Sequence, residues 1–382
     1  MRVTRIQVRH STGSYPVLIG PGILDQLGSV LRQCAPGRRP VVITDRNVAG
    51  AVSVGGRWPR LIVPAGESAK TRSQWASLTD RLVRLGYGRD TVIVAVGGGV
   101  VGDLAGFVAA TYLRGVPLVL VPTSLLAMVD ASVGGKTGVN TRQGKNLVGA
   151  FHPPSAVLID PRVLRTLPPK HYRAGLVEAT KHGLVADRRY RRYLERRLPD
   201  LFARDPATIT RLVAGSVAIK ARIVADDERE LGRRAVLNAG HTVGHAIEQV
   251  SGYRVGHGDA VAVGLLVEAM LAVDRGELSM GEVEALARWF GSIGVPLRRL
   301  MGGDERLLAA MARDKKVVRG ELRFALFSGR IAVASRASGW TVGCSRTSVR
   351  QALAATRQML ADPSIHTVST PRGPVRRRQT NS

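Results

Sequence analysis

Five short apolar runs, largely β-branched, constrain this chain more than any other feature: VVITD (41–45), LIVPA (61–65), TVIVAV (91–96), LVLVPT (118–123) and AVLID (156–160). Each has the length of a strand, and each is apolar at consecutive positions, the pattern of strands buried on both faces. Between the second and third, Trp75, Leu78, Leu82 and Leu85 recur at helical spacing, which predicts a crossover helix over 72–85. Strand and helix in alternation imply an α/β fold with a largely parallel sheet. From about residue 174 the pattern turns mostly helical, as in TITRLVAGSVAIKARIV and GDAVAVGLLVEAMLAV. The expected organisation is a Rossmann-like α/β domain over 1–173 and an α-helical domain over 174–360, with the site in the cleft between them. A tail rich in Pro, Ser, Thr and Arg over 361–382 is expected to be disordered.

With 382 residues, 45% of them hydrophobic, the chain can fill two packed domains. No run approaches the roughly 20 apolar residues that span a bilayer, and MRVTRIQVRH lacks a signal-peptide apolar core. Cys34 and Cys344 are the only cysteines, so no disulfide framework or Cys-rich metal site is available. A cytoplasmic protein without a membrane partner is expected. The net charge of +27 would attract phosphorylated substrates and nucleic acid alike. Only 4% of residues are aromatic, however, which leaves few stacking platforms and argues against nucleic acid as a specific partner.

The makeup of that charge is more informative than its size. Of 56 basic residues 8 are lysine, so 48 are arginine (56 − 8). The lysines are Lys70, Lys136, Lys145, Lys170, Lys181, Lys220, Lys315 and Lys316. Arginine is a planar fork and lysine a compact point charge that fits a narrow pocket. Lysines that persist in such a composition mark places where arginine will not serve; Lys170, beside PPKHY, is the exception expected to persist by chance.

Gly97, Gly99 and Gly102 satisfy G-x-G-x-x-G between a strand and a helix, the context in which a pyrophosphate sits at a helix N-terminus. The acidic residue usually found about 20 positions later is missing; Asp45, ending the VVITD strand, is the candidate for the ribose. A tight turn with no ligand is the plain alternative. Further along, His241 and His245 lie at i and i+4 on one helix face, and His257 opens the next helix at HGDAV. Together with Glu178 in GLVEATK, this histidine group can supply the three N/O ligands of an open, catalytic zinc site. Paired histidines that merely pack, or a structural zinc, are the simpler readings.

Several strings resemble the signatures of the 3-dehydroquinate synthases: GGGVVGDLAGFVAATYLRG (97–115), PTSLLAMVDASVGGKTGVNTRQGKNLVGAFHPP (122–154), GLVEATKHG (175–183), DERELGRRAVLNAGHTVGHAIE (227–248), HGDAVAVG (257–264) and RDKK (313–316). The resemblance covers roughly residues 1–355, and seven of the eight lysines, all but Lys170, match positions to which it assigns a site role. It implies that Glu178, His241 and His257 bind zinc, for which cobalt can substitute, and that His245 belongs to the proton-transfer apparatus. Lys136, Lys145, Asn146, Lys181, Lys220, Arg234, Asn238 and one of Lys315 and Lys316 would line the substrate pocket, with Asp130 and Glu230 as its acidic members. Arg114 would reach the phosphate pocket of the neighbouring subunit in a homodimer. For NAD the matching residues are Asp45, Asn47, Gly66, Glu67, Ser68, Ala69, Lys70, Gly99, Val100, Val101, Gly102, Asp103, Thr123, Ser124, Val163, Leu164, Arg165 and Thr166, together with Lys136 and Lys145.

The implied reaction turns 3-deoxy-D-arabino-heptulosonate 7-phosphate into 3-dehydroquinate and phosphate, by transient oxidation with NAD, elimination, reduction, ring opening and aldol closure. Departures from the family pattern are Ser124, Thr180, His182, Val243 and Asp259, and the stretch 328–350 aligns poorly. Rival readings are a sister sugar-phosphate cyclase such as an aminodehydroquinate synthase, a polyol dehydrogenase of the same fold, and a non-catalytic basic binding protein.

Overall fold

The computed structural model describes residues 3–297, 303–312, 321–328 and 340–366. The chain opens with an antiparallel hairpin of β1 (Thr4–His10) and β2 (Gly13–Ile19), followed by α1 (Leu27–Cys34). Then come β3 (Arg39–Asp45), α2 (Arg46–Ala51), β4 (Arg60–Val63), α3 (Arg72–Arg84), β5 (Thr91–Gly97), α4 (Gly99–Thr111) and β6 (Leu118–Pro122). A separate hairpin of β7 (Lys136–Val139) and β8 (Val148–Phe151) precedes β9 (Ala156–Ile159). Seven strands form one sheet in the order β1-β2-β9-β6-β5-β3-β4, parallel throughout except for the β1–β2 pair. The five strands expected from the apolar runs are all present; β1, β2, β7 and β8 are additional.

The apolar runs are continuous because the sheet is covered on both faces. In β5, Val92, Val94 and Val96 join the core under α1, whereas Ile93 and Ala95 join the core that includes α3 and α4. This second core continues into the helical part of the chain.

The helical part consists of α5 (Pro169–Ala186), α6 (Arg188–Arg196), α7 (Leu198–Phe202), α8 (Pro206–Asp226), α9 (His241–Val250), α10 (His257–Asp274), α11 (Met280–Ser292) and α12 (Asp304–Ala312). A small pair, β10 (Leu322–Phe324) with β11 (Val342–Cys344), and α13 (Arg346–Ala361) complete it. The change of pattern expected at about 174 falls inside α5, which Pro168 and Pro169 start earlier. The order also departs from a tail beginning at 361: Pro363–His366 is a 3-10 turn whose Ile365 is buried beside α11. Lys315 and Lys316, residues 329–339 of the poorly aligning stretch, and the tail from 367 lie outside the described residues. No helix among the described residues is long and apolar enough to cross a membrane.

α10 is buried on every side from Gly258 to Ala272, as a helix apolar all round must be. Gly264 and Gly240 let α9 cross it closely: a Cβ on Gly264 would lie 2.0 Å from the Gly240 carbonyl oxygen. Gly240 also takes the left-handed φ of +77° that starts α9. At the first turn of α10, a Cβ on Gly258 would lie 2.4 Å from Ala174 Cα, so the start of α10 rests directly on α5. These approaches bring the first residues of α9 and α10 to one turn of α5.

Candidate active site

That turn carries Glu178, which is fully buried. Its Oε1 lies 3.6 Å from His241 Nε2 and 3.5 Å from His257 Nε2, and Lys181 Nζ, one turn along the same helix, lies 2.5 Å from Oε2. Neither Glu178 oxygen receives a directed hydrogen bond among the described residues. Burial alone would raise the Glu178 carboxyl; the Lys181 ammonium and the two imidazoles outweigh it and hold the group well below the usual carboxylate range. Burial, with Lys181 nearby, keeps His241 neutral far below its ordinary value. For His257, burial acts downward, but Glu178 and Glu248 dominate and push it up to about 10.

The backbone and a second carboxylate aim both rings. His241 Nδ1 faces the Ala239 carbonyl at 3.0 Å, and His257 Nδ1 faces Glu248 Oε2 at 3.2 Å, which leaves both Nε2 atoms toward Glu178. Donors about 2.0–2.1 Å from one tetrahedral ion stand roughly 3.3 Å apart, close to the separations found here. An ionised carboxylate without directed hydrogen bonds, flanked by two aimed imidazole nitrogens, therefore fits a zinc-type ion. His245 lies on the exposed rim, its ring centroid 5.4 Å from that of His241.

A second cluster adjoins the first. Asp130 sits on a π-turn, Ala127–Ala131, of the kind that often marks a functional position. Its Oδ1 receives Lys220 Nζ at 2.7 Å and lies 3.5 Å from His182 Nε2. Burial opposes its charge, but Lys220 and Lys181 prevail and hold it well below the ordinary range. Burial, despite Asp130, lowers Lys220. Arg234 is buried as well, with Nη1 and Nη2 at 3.5 and 3.4 Å from the Gly134 carbonyl oxygen. Lys136 pairs with Glu230, whose other oxygen accepts from Asn238 Nδ2 at 2.5 Å.

The residues matched to NAD lie along one edge of the sheet. Asp45 and Asn47 follow β3, residues 66–70 follow β4, 99–103 open α4 after β5, Thr123 and Ser124 follow β6, and 163–166 belong to a 3-10 turn after β9. These are all at carboxyl ends of parallel strands, whereas Lys136 and Lys145, also matched to NAD, lie on the separate β7–β8 hairpin. The order β4-β3-β5-β6-β9 places the topological switch point between β3 and β5, so Asp45 and the glycine turn flank the crevice where nucleotides bind in such sheets. Asp45 Oδ1 caps α2 through Asn47 N and Val48 N. The N-cap of α4, Gly98, supplies no side-chain bond to the helix start, and a Cβ on Gly102 would meet nothing within 4 Å. Open amide groups and open space fit an approaching pyrophosphate. Lys70, which is buried, pairs with Asp103 on this helix and with Asn146 Oδ1 at 2.5 Å.

Of the predicted site residues, Arg114 stands apart. It lies on the exposed turn leading into the amino end of β6, at the sheet edge opposite the glycine turn, and has a positive φ of 68°. The departures from the family pattern have partners. Thr180 Oγ1 donates to the Leu176 carbonyl and accepts from Trp289 Nε1 at 2.9 Å; His182 Nδ1 meets Ser216 Oγ at 2.9 Å. Asp259 forms a forked pair with Arg173 at 2.8 and 3.1 Å, Val243 is buried in the core, and Ser124 Oγ accepts from Ala127 N. Glu248 is the site residue to which the sequence reading gave no role. Its signal was present: His241, His245 and Glu248 at i, i+4 and i+7 share a helix face.

Residues 60–174 match the family model described as 3-dehydroquinate synthase N-terminal, and residues 175–317 the one described as 3-dehydroquinate synthase C-terminal. The 3-dehydroquinate synthase of Symbiobacterium thermophilum is 46% identical over 324 residues, 82% of this chain and 90% of that protein. That of Geobacter metallireducens is 44% identical over 83% of this chain and 91% of that protein. Among solved structures, 2-deoxy-scyllo-inosose synthase with carbaglucose-6-phosphate, NAD+ and Co2+ superposes with a TM-score of 0.83 at 27% identity, covering 92% of this chain and 99% of that one. The 2-epi-5-epi-valiolone synthase of Streptomyces hygroscopicus, with NAD+ and Zn2+, gives 0.79 at 26%, covering 94% and 99%. With both family models and relatives of more than two-fifths identity spanning most of its length, this chain belongs to the 3-dehydroquinate synthase family.

Proposed function

We propose that this chain converts 3-deoxy-D-arabino-heptulosonate 7-phosphate to 3-dehydroquinate and phosphate, as a cytoplasmic homodimer using NAD and zinc. The observation that carries the reading is the junction of two clusters: the donor set Glu178–His241–His257 adjoins the cationic group Lys181, Lys220 and Arg234, which meets Asp130. A substrate bearing both a carboxylate and a phosphate matches such a ring of cations.

In this reading Glu178, His241 and His257 hold the metal, and the glycine turn with Asp45 and Lys70 takes the nucleotide. When bound, these groups supply Lewis acidity toward a secondary hydroxyl and a reversible hydride acceptor. The chain's own residues orient and neutralise. Arg234, Lys220 and Asn238 hold the carboxylate end, while Lys136, Lys145 and Asn146 face the phosphate end, with Arg114 contributed across the dimer. Asp130 keeps Lys181 and Lys220 charged and in place, and His245 at the rim moves a proton between substrate and solvent. Fixed charges around a desolvated substrate stabilise the charge that develops on elimination.

The test supplies the heptulosonate phosphate with NAD and zinc and follows phosphate release and product mass. The expected product has the mass of 3-dehydroquinate, one phosphate per turnover and no net NADH. Accumulating NADH would identify a polyol dehydrogenase, and turnover of glucose 6-phosphate in its place would identify a sister cyclase.

A further inference from the structure

The carboxylate of Glu248 takes no part in the chemistry above, yet it is buried and fully engaged. Its Oε2 is 3.2 Å from His257 Nδ1, and its Oε1 accepts from Lys145 Nζ at 3.0 Å. Tyr253 closes over the pair: its N–H donates to the Glu248 carbonyl at 2.7 Å, and its ring centroid is 4.5 Å from Lys145 Nζ. Asn146, next in the chain after Lys145, accepts from Lys70, which pairs with Asp103 in α4. Two runs of polar contacts, joined by the Lys145–Asn146 peptide, thus connect His257 in the donor set to the helix behind the glycine turn.

We propose that Glu248 is a positioning residue that couples the metal site to the nucleotide site, an inference that rests on the cofactor assignments above. An ionised carboxylate only accepts, so His257 must present Nδ1–H to it, which reserves Nε2, on the Glu178 side, as the atom that gives up its proton to an incoming ion. The other oxygen anchors Lys145, and with it the turn that sets Asn146 against Lys70. A ligand at either end orders this shared carboxylate, and the second ligand then has less to order. Zinc therefore tightens NAD binding, and by reciprocity NAD tightens zinc binding by the same factor.

The experiment uses the full chain stripped of metal and nucleotide. Zinc affinity is read by competition with a chelating dye, with and without NAD, and NAD affinity by calorimetry, with and without zinc. The wild type should show one coupling factor from both directions, within the roughly 5–150-fold range of such couplings. Glu248→Gln should weaken zinc about 10–100-fold and abolish the coupling. Lys145→Met, at a side chain one-third exposed, should keep zinc affinity in the absence of NAD within a few-fold and still lose the coupling. Circular dichroism establishes that each variant is folded, and Glu248→Asp replaces Glu248→Gln if that one is not. Equal zinc affinity in the Glu248 variant and wild type, or a coupling factor that survives either substitution, overturns the inference. A wild type that binds both cofactors without reciprocity overturns it as well. A wild type that binds neither refutes the cofactor assignments themselves, and a normal coupling without turnover of the heptulosonate phosphate refutes only the proposed reaction.

Discussion

Lys220 reaches from α8 to Asp130 and binds it twice, at 2.7 Å to Oδ1 and at 2.6 Å to the main-chain carbonyl. One buried lysine thereby ties the longest described helix to the π-turn that follows β6. Lys220→Met would leave Asp130 facing Lys181 and His182 with its strongest partner gone. Breaking a buried pair from one side costs about 3 kcal/mol, so the urea midpoint should fall clearly and turnover should nearly vanish. An unchanged midpoint would mean that Asp130 is effectively solvated.

His257→Ala removes one of three proposed metal donors and leaves Glu178 and His241, 3.6 Å apart, as a two-donor remnant. Metal analysis should find about one zinc per wild-type chain and almost none in the variant, with loss of nearly all activity. Full occupancy in the variant would remove His257 from the ligand set.

Zinc loading should release protons, and the source can be named. His257 is pushed up to about 10 in the metal-free chain, whereas His241 is neutral and Glu178 ionised. An ion at Nε2 must displace the His257 proton, so affinity falls as pH is lowered, by roughly tenfold per unit below pH 10. Calorimetry in buffers of different ionisation heat should report about one proton released per zinc near pH 7.5; release of none would show that His257 is already neutral.

Lysine retention makes a comparative prediction. Lys136 meets Glu230 at the site, whereas Lys170 is exposed at the start of α5. Lys136→Arg should lose kcat/KM by about 10²-fold, since misplacement of order 1 Å suffices for that, with fold and zinc content preserved. Lys170→Arg should be nearly silent. Equal behaviour of the two would mean that lysine retention carries no functional information in this chain.

The arginine-rich composition bears on the same point in three dimensions. Lys70, Lys181 and Lys220 are buried, and each pairs with a buried or partly buried carboxylate: Asp103, Glu178 and Asp130. A narrow stem with a point charge fits those positions, and a guanidinium fork would not. Composition alone could identify these lysines as special without identifying any of their partners.

What the sequence by itself determined is what short-range periodicity encodes. Consecutive apolar positions specify strands covered on both faces, glycines after β5 specify an open helix start, and i, i+4 spacing puts His241 and His245 on one face. Only the tertiary structure decided the rest. The β1–β2 hairpin is placed in the sheet through β9, about 140 residues away from β2, because β1 is an edge strand with just one fully buried residue and carries no continuous apolar run. Glu178 comes to His257 across 79 positions (257 − 178), Lys145 to Glu248 across 103 and Lys220 to Asp130 across 90. Nothing local to a charged side chain specifies a partner at that range. For Glu178 and His257 the pairing is set by close helix crossings at Gly240, Gly258 and Gly264, where packing fixes the backbone and the buried charges must meet or remain uncompensated.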